Sequence, residues 1–102
     1  NLVHSVDSAA MMSTVNIAYK NGITNFCNVH DSFGTTAGDV ETLNKSIREA
    51  FIKMFTEFDI LENFRNDVLK QLPVELHSKL PEVPAKGDLD IEKLRVSEFF
   101  FA

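Results

Sequence analysis

A single cysteine, Cys27, excludes an internal disulfide and fits a reducing compartment. Proline and glycine are sparse, with three and four residues in 102, and no stretch is low-complexity or internally repeated. No apolar run approaches the roughly 18 residues that a membrane helix requires, and the amino-terminal residues lack a signal-peptide pattern. Positive charge is also scarce: 10 basic residues face 15 acidic ones, a net charge of −5. Both halves are acidic, with four basic and six acidic side chains in residues 1–58 and six and nine in residues 59–102. Phosphate contacts drive nucleic-acid affinity, so by charge alone this chain does not grip DNA or RNA unaided. What remains is enough for one small domain with one core, at an ordinary 44% hydrophobic and 25% charged residues. The first residue is Asn1 and not Met, as expected of a processed piece or a fragment.

The spacing predicts helices around one hairpin. Val6, Ala10, Thr14, Val15 and Ala18 recur every three to four residues, which predicts a helix from about Val3 to Lys20 that stops at Asn21-Gly22. Ile23 to Val29 is rich in strand formers and alternates, with Phe26 and Val29 as its expected buried positions. Phe33 to Thr36 reads as the return strand. Between the two, His30-Asp31-Ser32 forms a tight turn, and Asp and Ser suit turns because their side chains bond the local backbone. Thr36 is a candidate cap and Asp39 a helix-start acid for the next helix. In that helix Val40, Leu43, Ile47, Phe51, Met54, Phe55 and Phe58 form an apolar stripe. Glu41, Lys45, Arg48, Glu49 and Lys53 make its expected solvated face. Ile60, Leu61, Phe64, Val68, Leu69 and Leu72 mark another helix, ended by Pro73. Residues 74–86 are expected to loop over the surface with His77 exposed, and Asp88-Leu89-Asp90 to start a short helix through Val96. The fold class is α+β: helix 1–22, antiparallel hairpin 23–36, helices 37–72, and a carboxyl-terminal extension 73–102.

A carboxylate at a hairpin tip is held by rigid backbone yet reaches solvent, a geometry that suits a metal ligand; the competing reading is an ordinary turn Asp. Cys27 and His30 have a CxxH spacing without the second pair that a zinc site needs.

His30-Asp31-Ser32-Phe33-Gly34 resembles the third palm motif of the single-subunit, bacteriophage-type RNA polymerases, the relatives of the organellar enzymes. Three further blocks occur in the family's order: Asn1 to Ser8 upstream, Leu80 to Asp90 downstream, and the aromatic end Ser97-Glu98-Phe99-Phe100-Phe101-Ala102. The resemblance implies a carboxyl-terminal palm segment of a DNA-directed RNA polymerase using two Mg²⁺ ions, with Asp31 as one catalytic carboxylate and metal ligand. The second carboxylate and the nucleotide-binding Lys and Tyr of the fingers would lie outside this chain. His4, Ser5, His30 and Ser32 become active-site or nucleic-acid neighbours, and His4 would face the template–product duplex. Ala10 stands where a second histidine is common. Asp7 is read as a local structural ligand. Phe99, Phe100, Phe101 and Ala102 would fold back toward the palm, with at least two of the aromatics buried.

Implied partners are a DNA template, RNA product, nucleoside triphosphates and the rest of the same polymerase chain, with no membrane. The implied place is the cytoplasm of a phage-infected host, with mitochondrion or plastid as the alternative. Two other readings compete. One is a palm fragment of the related bacterial-type DNA polymerases, in which an acidic residue usually follows the His-Asp pair; the other is a small non-catalytic module binding through its terminal aromatics. Ser32 and the aromatic end favour RNA synthesis, and the isolated chain is expected to be inactive.

Overall fold

Residues 1–100 are described by a computed structural model. A long helix, α1, covers Leu2–Lys20. A two-stranded antiparallel hairpin follows, β1 at Cys27–Val29 and β2 at Ser32–Gly34. A 3₁₀ turn at Ala37–Asp39 leads into α2, Val40–Glu57, and then α3, Ile60–Gln71. Two 3₁₀ segments, Val74–Lys79 and Ile91–Arg95, flank an extended stretch. The fold is α+β, as expected.

The stop of α1 shows why its sequence ends where it does. Gly22 takes a left-handed φ of 98° that other residues adopt only with strain. Its amide donates to Tyr19 O and the Ile23 amide donates back to Ala18 O, both at 3.0 Å. This paired closure satisfies carbonyls that the helix end leaves free and drops Ile23 into the core at 1% exposure.

α1 and α2 make the main contact between elements. Small buried residues line it: Thr14 and Ala18 on α1, Ser46 and Ala50 on α2. The two hydroxyls are satisfied within their own helices, Thr14 donating to Ala10 O and Ser46 to Thr42 O. Ser46 Oγ also accepts from Asn21 Nδ2 at 3.1 Å, which locks the end of α1 against the middle of α2. Leu43, Ile47, Ile52 and Met54 complete the buried set. Full burial of such a side chain contributes about 1.5–3 kcal/mol. The outer members of the predicted stripe, Val40, Phe55 and Phe58, are exposed.

Several expectations need correction. The strands are shorter than predicted, because β1 pairs only from Cys27, opposite Gly34, to Val29, opposite Ser32. Beyond that register Thr35 turns its hydroxyl to Asn25 O at 2.8 Å and the ladder ends. Val29 is 62% exposed, since period-two alternation puts it on the outer face with Cys27, while Phe26 packs on the core. Arg48 and Glu49 are half-buried, not part of a solvated face. His77 is half-buried too, with Nε2 3.0 Å from Leu72 O. Asp7 is exposed and makes no side-chain hydrogen bond or ion pair among the described residues, so it is not a local structural ligand here.

α3 contributes no buried residue. Its start is fixed by Asp59, which accepts from the Glu62 amide at 3.2 Å and pairs with Lys86 Nζ at 2.7 Å. The Lys86 hydrogen bond, and after it the Glu62 amide, hold the Asp59 carboxyl below the usual carboxylate range.

Candidate active site

The register Val29↔Ser32 leaves His30 and Asp31 as the whole turn of the hairpin. His30 takes a positive φ of 53°, the left-handed region that a two-residue hairpin turn demands and that His tolerates better than most side chains. Both residues therefore belong to the turn, where the sequence places them. Asp31 is exposed, and its side chain has no hydrogen-bond or ion-pair partner among the described residues. The carboxylate is thus held by backbone and available to a ligand.

The tip overhangs a cleft of about 280 Å³ between the hairpin and the first two turns of α2. Asp31, Ser32 and Phe33 form one wall; Val40, Leu43, Asn44 and Ile47 form the other. Phe33 and Phe26 pack against the cluster of Ala18, Ile23, Leu43 and Ile47, which seats the hairpin on both long helices. The Asn28 side chain accepts from the Gly34 amide at 3.4 Å across the strands.

Among the described residues no three His, Cys, Asp or Glu side chains come together as a metal site. A hard cation such as Mg²⁺ takes oxygen ligands and accepts one or two carboxylates when phosphate oxygens supply the rest. The residues fit as part of such a set: Asp31 offers one carboxylate without a partner among the described residues, and none of those residues groups a second beside it as a metal site. Asp39 serves the start of α2 instead, where Thr36 Oγ1 donates to its Oδ2 at 2.8 Å.

His4 lies elsewhere, in the first turn of α1. It lines a shallow depression of about 410 Å³ with Asn1, Ser5, Ser8 and Met12. Ser5 bonds the backbone, donating to Asn1 O at 2.9 Å. The chain alone does not bring His4 and Asp31 into one cleft.

The carboxyl-terminal aromatics divide. Phe99 is 84% exposed. Phe100 packs on the same cluster as Phe26 and Phe33 and meets Phe51 edge-on, with ring centroids 5.3 Å apart. Phe101 and Ala102 lie outside the described residues. The residue that composition and spacing missed is Arg48, whose guanidinium reaches the returning tail. Its partners are 46 and 49 residues away, so no local pattern marks it.

The profile of the DNA-dependent RNA polymerase family matches residues 1–79. This chain belongs to that family. It is 38% identical to T7 RNA polymerase of Escherichia phage T7 over 103 residues, covering all of this chain and 12% of that protein. It is also 38% identical to DNA-directed RNA polymerase 1A of Nicotiana tabacum over 101 residues, covering 99% of this chain and 62% of that protein. DNA-directed RNA polymerase 2, chloroplastic/mitochondrial, of Arabidopsis thaliana is 39% identical over 101 residues, with 99% of this chain and 10% of that protein covered. The chain thus spans about an eighth of the length of the phage relative. Phage and organellar polymerases match at nearly the same identity, so identity does not separate the two origins. Family membership sets aside the reading of a small non-catalytic module. No helix among the described residues is long and apolar enough to cross a membrane.

Proposed function

We propose that these residues are the carboxyl-terminal palm segment of a phage-type, DNA-directed RNA polymerase, and that Asp31 is one of its metal-binding catalytic carboxylates. One observation carries the reading: in a polymerase-family chain, an exposed carboxylate without a partner stands at the tip of a hairpin seated on the core. The reaction is transfer of a nucleoside monophosphate. The RNA 3′-oxygen forms a bond to the α-phosphorus, the bond to the β-phosphate breaks, pyrophosphate leaves, and the hydroxyl proton is lost. Mg²⁺, when bound, lowers the charge cost at the attacking and leaving oxygens. Asp31 holds its carboxylate where the backbone of the turn fixes it. Its partner carboxylate, the fingers residues and the basic surface for DNA come from the rest of the polymerase. Template, RNA and nucleoside triphosphate are partners of that complete enzyme, which works in an infected host cell or an organelle. In this reading His4 and Ser5 lie toward the duplex, and His30 and Ser32 flank Asp31.

The test is Asp31→Asn in the full-length polymerase that carries these residues. Nucleotide addition should drop by several orders of magnitude, with thermal unfolding close to wild type, because the side chain is exposed and bonds nothing among the described residues. Activity within about tenfold of wild type, roughly 1.4 kcal/mol of barrier, refutes the assignment.

A further inference from the structure

Arg48 sits in the middle of α2 and reaches three elements of the chain at once. Its Nη1 donates to Leu94 O at 2.5 Å and to Ser97 O at 2.7 Å, two backbone carbonyls of the returning tail. Its Nε donates to Asn44 Oδ1 at 2.9 Å, one turn back on the same helix, and this fixes the plane of the guanidinium. Its Cζ stands 5.4 Å from the centroid of the Phe100 ring. Phe100 then packs on the cluster of Ala18, Ile23, Leu43 and Ile47, the same cluster that receives Phe26 and Phe33. Phe33 is two residues from Asp31. Two described residues of the tail stand out into solvent, Val96 and Phe99, each 84% exposed. An ion pair, Arg95 to Glu49, also joins the tail to α2, but its side chains remain 43% and 46% exposed, where ion pairs are worth little.

We propose that Arg48 is a positioning residue for nucleotide addition: it fastens the tail to α2 so that Phe100 closes the cluster on which the Asp31 hairpin is seated. The inference rests on the reading of Asp31 as a catalytic carboxylate. An arginine suits the task because one planar group serves two carbonyls, one amide side chain and one ring face. A lysine in its place supplies donors for the carbonyls and loses the flat face and the Nε bond to Asn44.

The experiment uses the full-length polymerase with Arg48→Met, which keeps an apolar stem, Arg48→Lys, Phe100→Ala, and the Arg48→Met/Phe100→Ala pair. Single-nucleotide addition on a preformed template–primer gives kcat and KM, with duplex affinity and melting temperature measured alongside. Arg48→Met should lower kcat at least tenfold while KM for nucleotide and duplex affinity stay within twofold. Arg48→Lys should recover part of the loss. The paired variant should lose no more than its worse single member, because both residues act through one contact. A normal kcat in Arg48→Met overturns the proposal. So do losses that multiply in the paired variant, or a kcat that falls only as melting temperature falls. Should Arg48→Met not fold, Arg48→Lys decides alone: a wild-type kcat overturns the proposal, and a reduced kcat at normal melting temperature supports it. Asp31→Asn run in parallel separates the two readings. If it stays active, the catalytic assignment fails; if it is inactive while Arg48→Met is normal, only the role of Arg48 fails.

Discussion

At the residue scale, the hairpin tip divides labour between neighbours. His30 absorbs the left-handed backbone angle, and Asp31 keeps an unencumbered carboxylate. His4 occupies a different depression, and imidazole is a poor ligand for Mg²⁺. Its proposed role is toward nucleic acid, where a ring N–H donates to minor-groove acceptors that recur at every base pair. His4→Ala in the full-length enzyme should therefore reduce extension or fidelity and leave the Mg²⁺ concentration needed for half-maximal rate unchanged. A large shift in that requirement at unchanged duplex affinity moves His4 into the metal shell. The place of Asp31 in the turn was legible in the sequence because turn formers sit between two strand-forming runs. Arg48 was not: on a helical wheel it falls beside Lys45 and Glu49, and only the return of a distant segment draws it inward.

At the element scale, the helices were legible because their apolar positions recur at helical spacing and their ends carry Asn21-Gly22, Asp39 and Pro73. The strands were legible in place and not in length. Three paired residues a side leave Ile23 to Phe26 extended without a partner strand, and β propensity alone cannot say where pairing stops. The inner face of α2 was half legible. Its Phe and Met stripe is plain, yet the buried side of α2 also includes Ser46 and Ala50, small residues that hydropathy overlooks. The closure of α1 gives a sharp test. A methyl group at Gly22 meets nothing within 4 Å, so any penalty for Gly22→Ala comes from the left-handed backbone and not from a clash. The variant should lose about 1–2 kcal/mol of stability, read from denaturant midpoints of the folded polymerase. A stability equal to wild type would mean that the turn reorganises at no cost and that Ile23 is not held by it.

At the scale of the whole molecule, the shape is drawn out. The radius of gyration is 16.8 Å and the principal extents are 57 × 27 × 21 Å, against about 13 Å expected for a compact domain of this length. The core joins α1, the hairpin and α2, whereas α3 and the stretch beyond it bury little of their own. Charge bears on the same question: a net −5 gives this segment little overall attraction to phosphate, and under the proposed function the grip on nucleic acid is expected from other parts of the polymerase. The isolated 102-residue chain should show no duplex DNA binding at physiological salt in an equilibrium titration, and a sub-micromolar dissociation constant would contradict the charge argument. The tail fastened by Arg48 also sets an order of events during synthesis. Ser97 lies 49 residues beyond Arg48, so the ribosome completes α1, the hairpin and α2 long before Phe100 exists to cover their shared cluster. At about 5–20 residues per second, the chain from the end of α2 to Phe100 takes roughly 2–9 s to synthesise. Through that interval the cluster of Ala18, Ile23, Leu43 and Ile47 stands without the ring of Phe100.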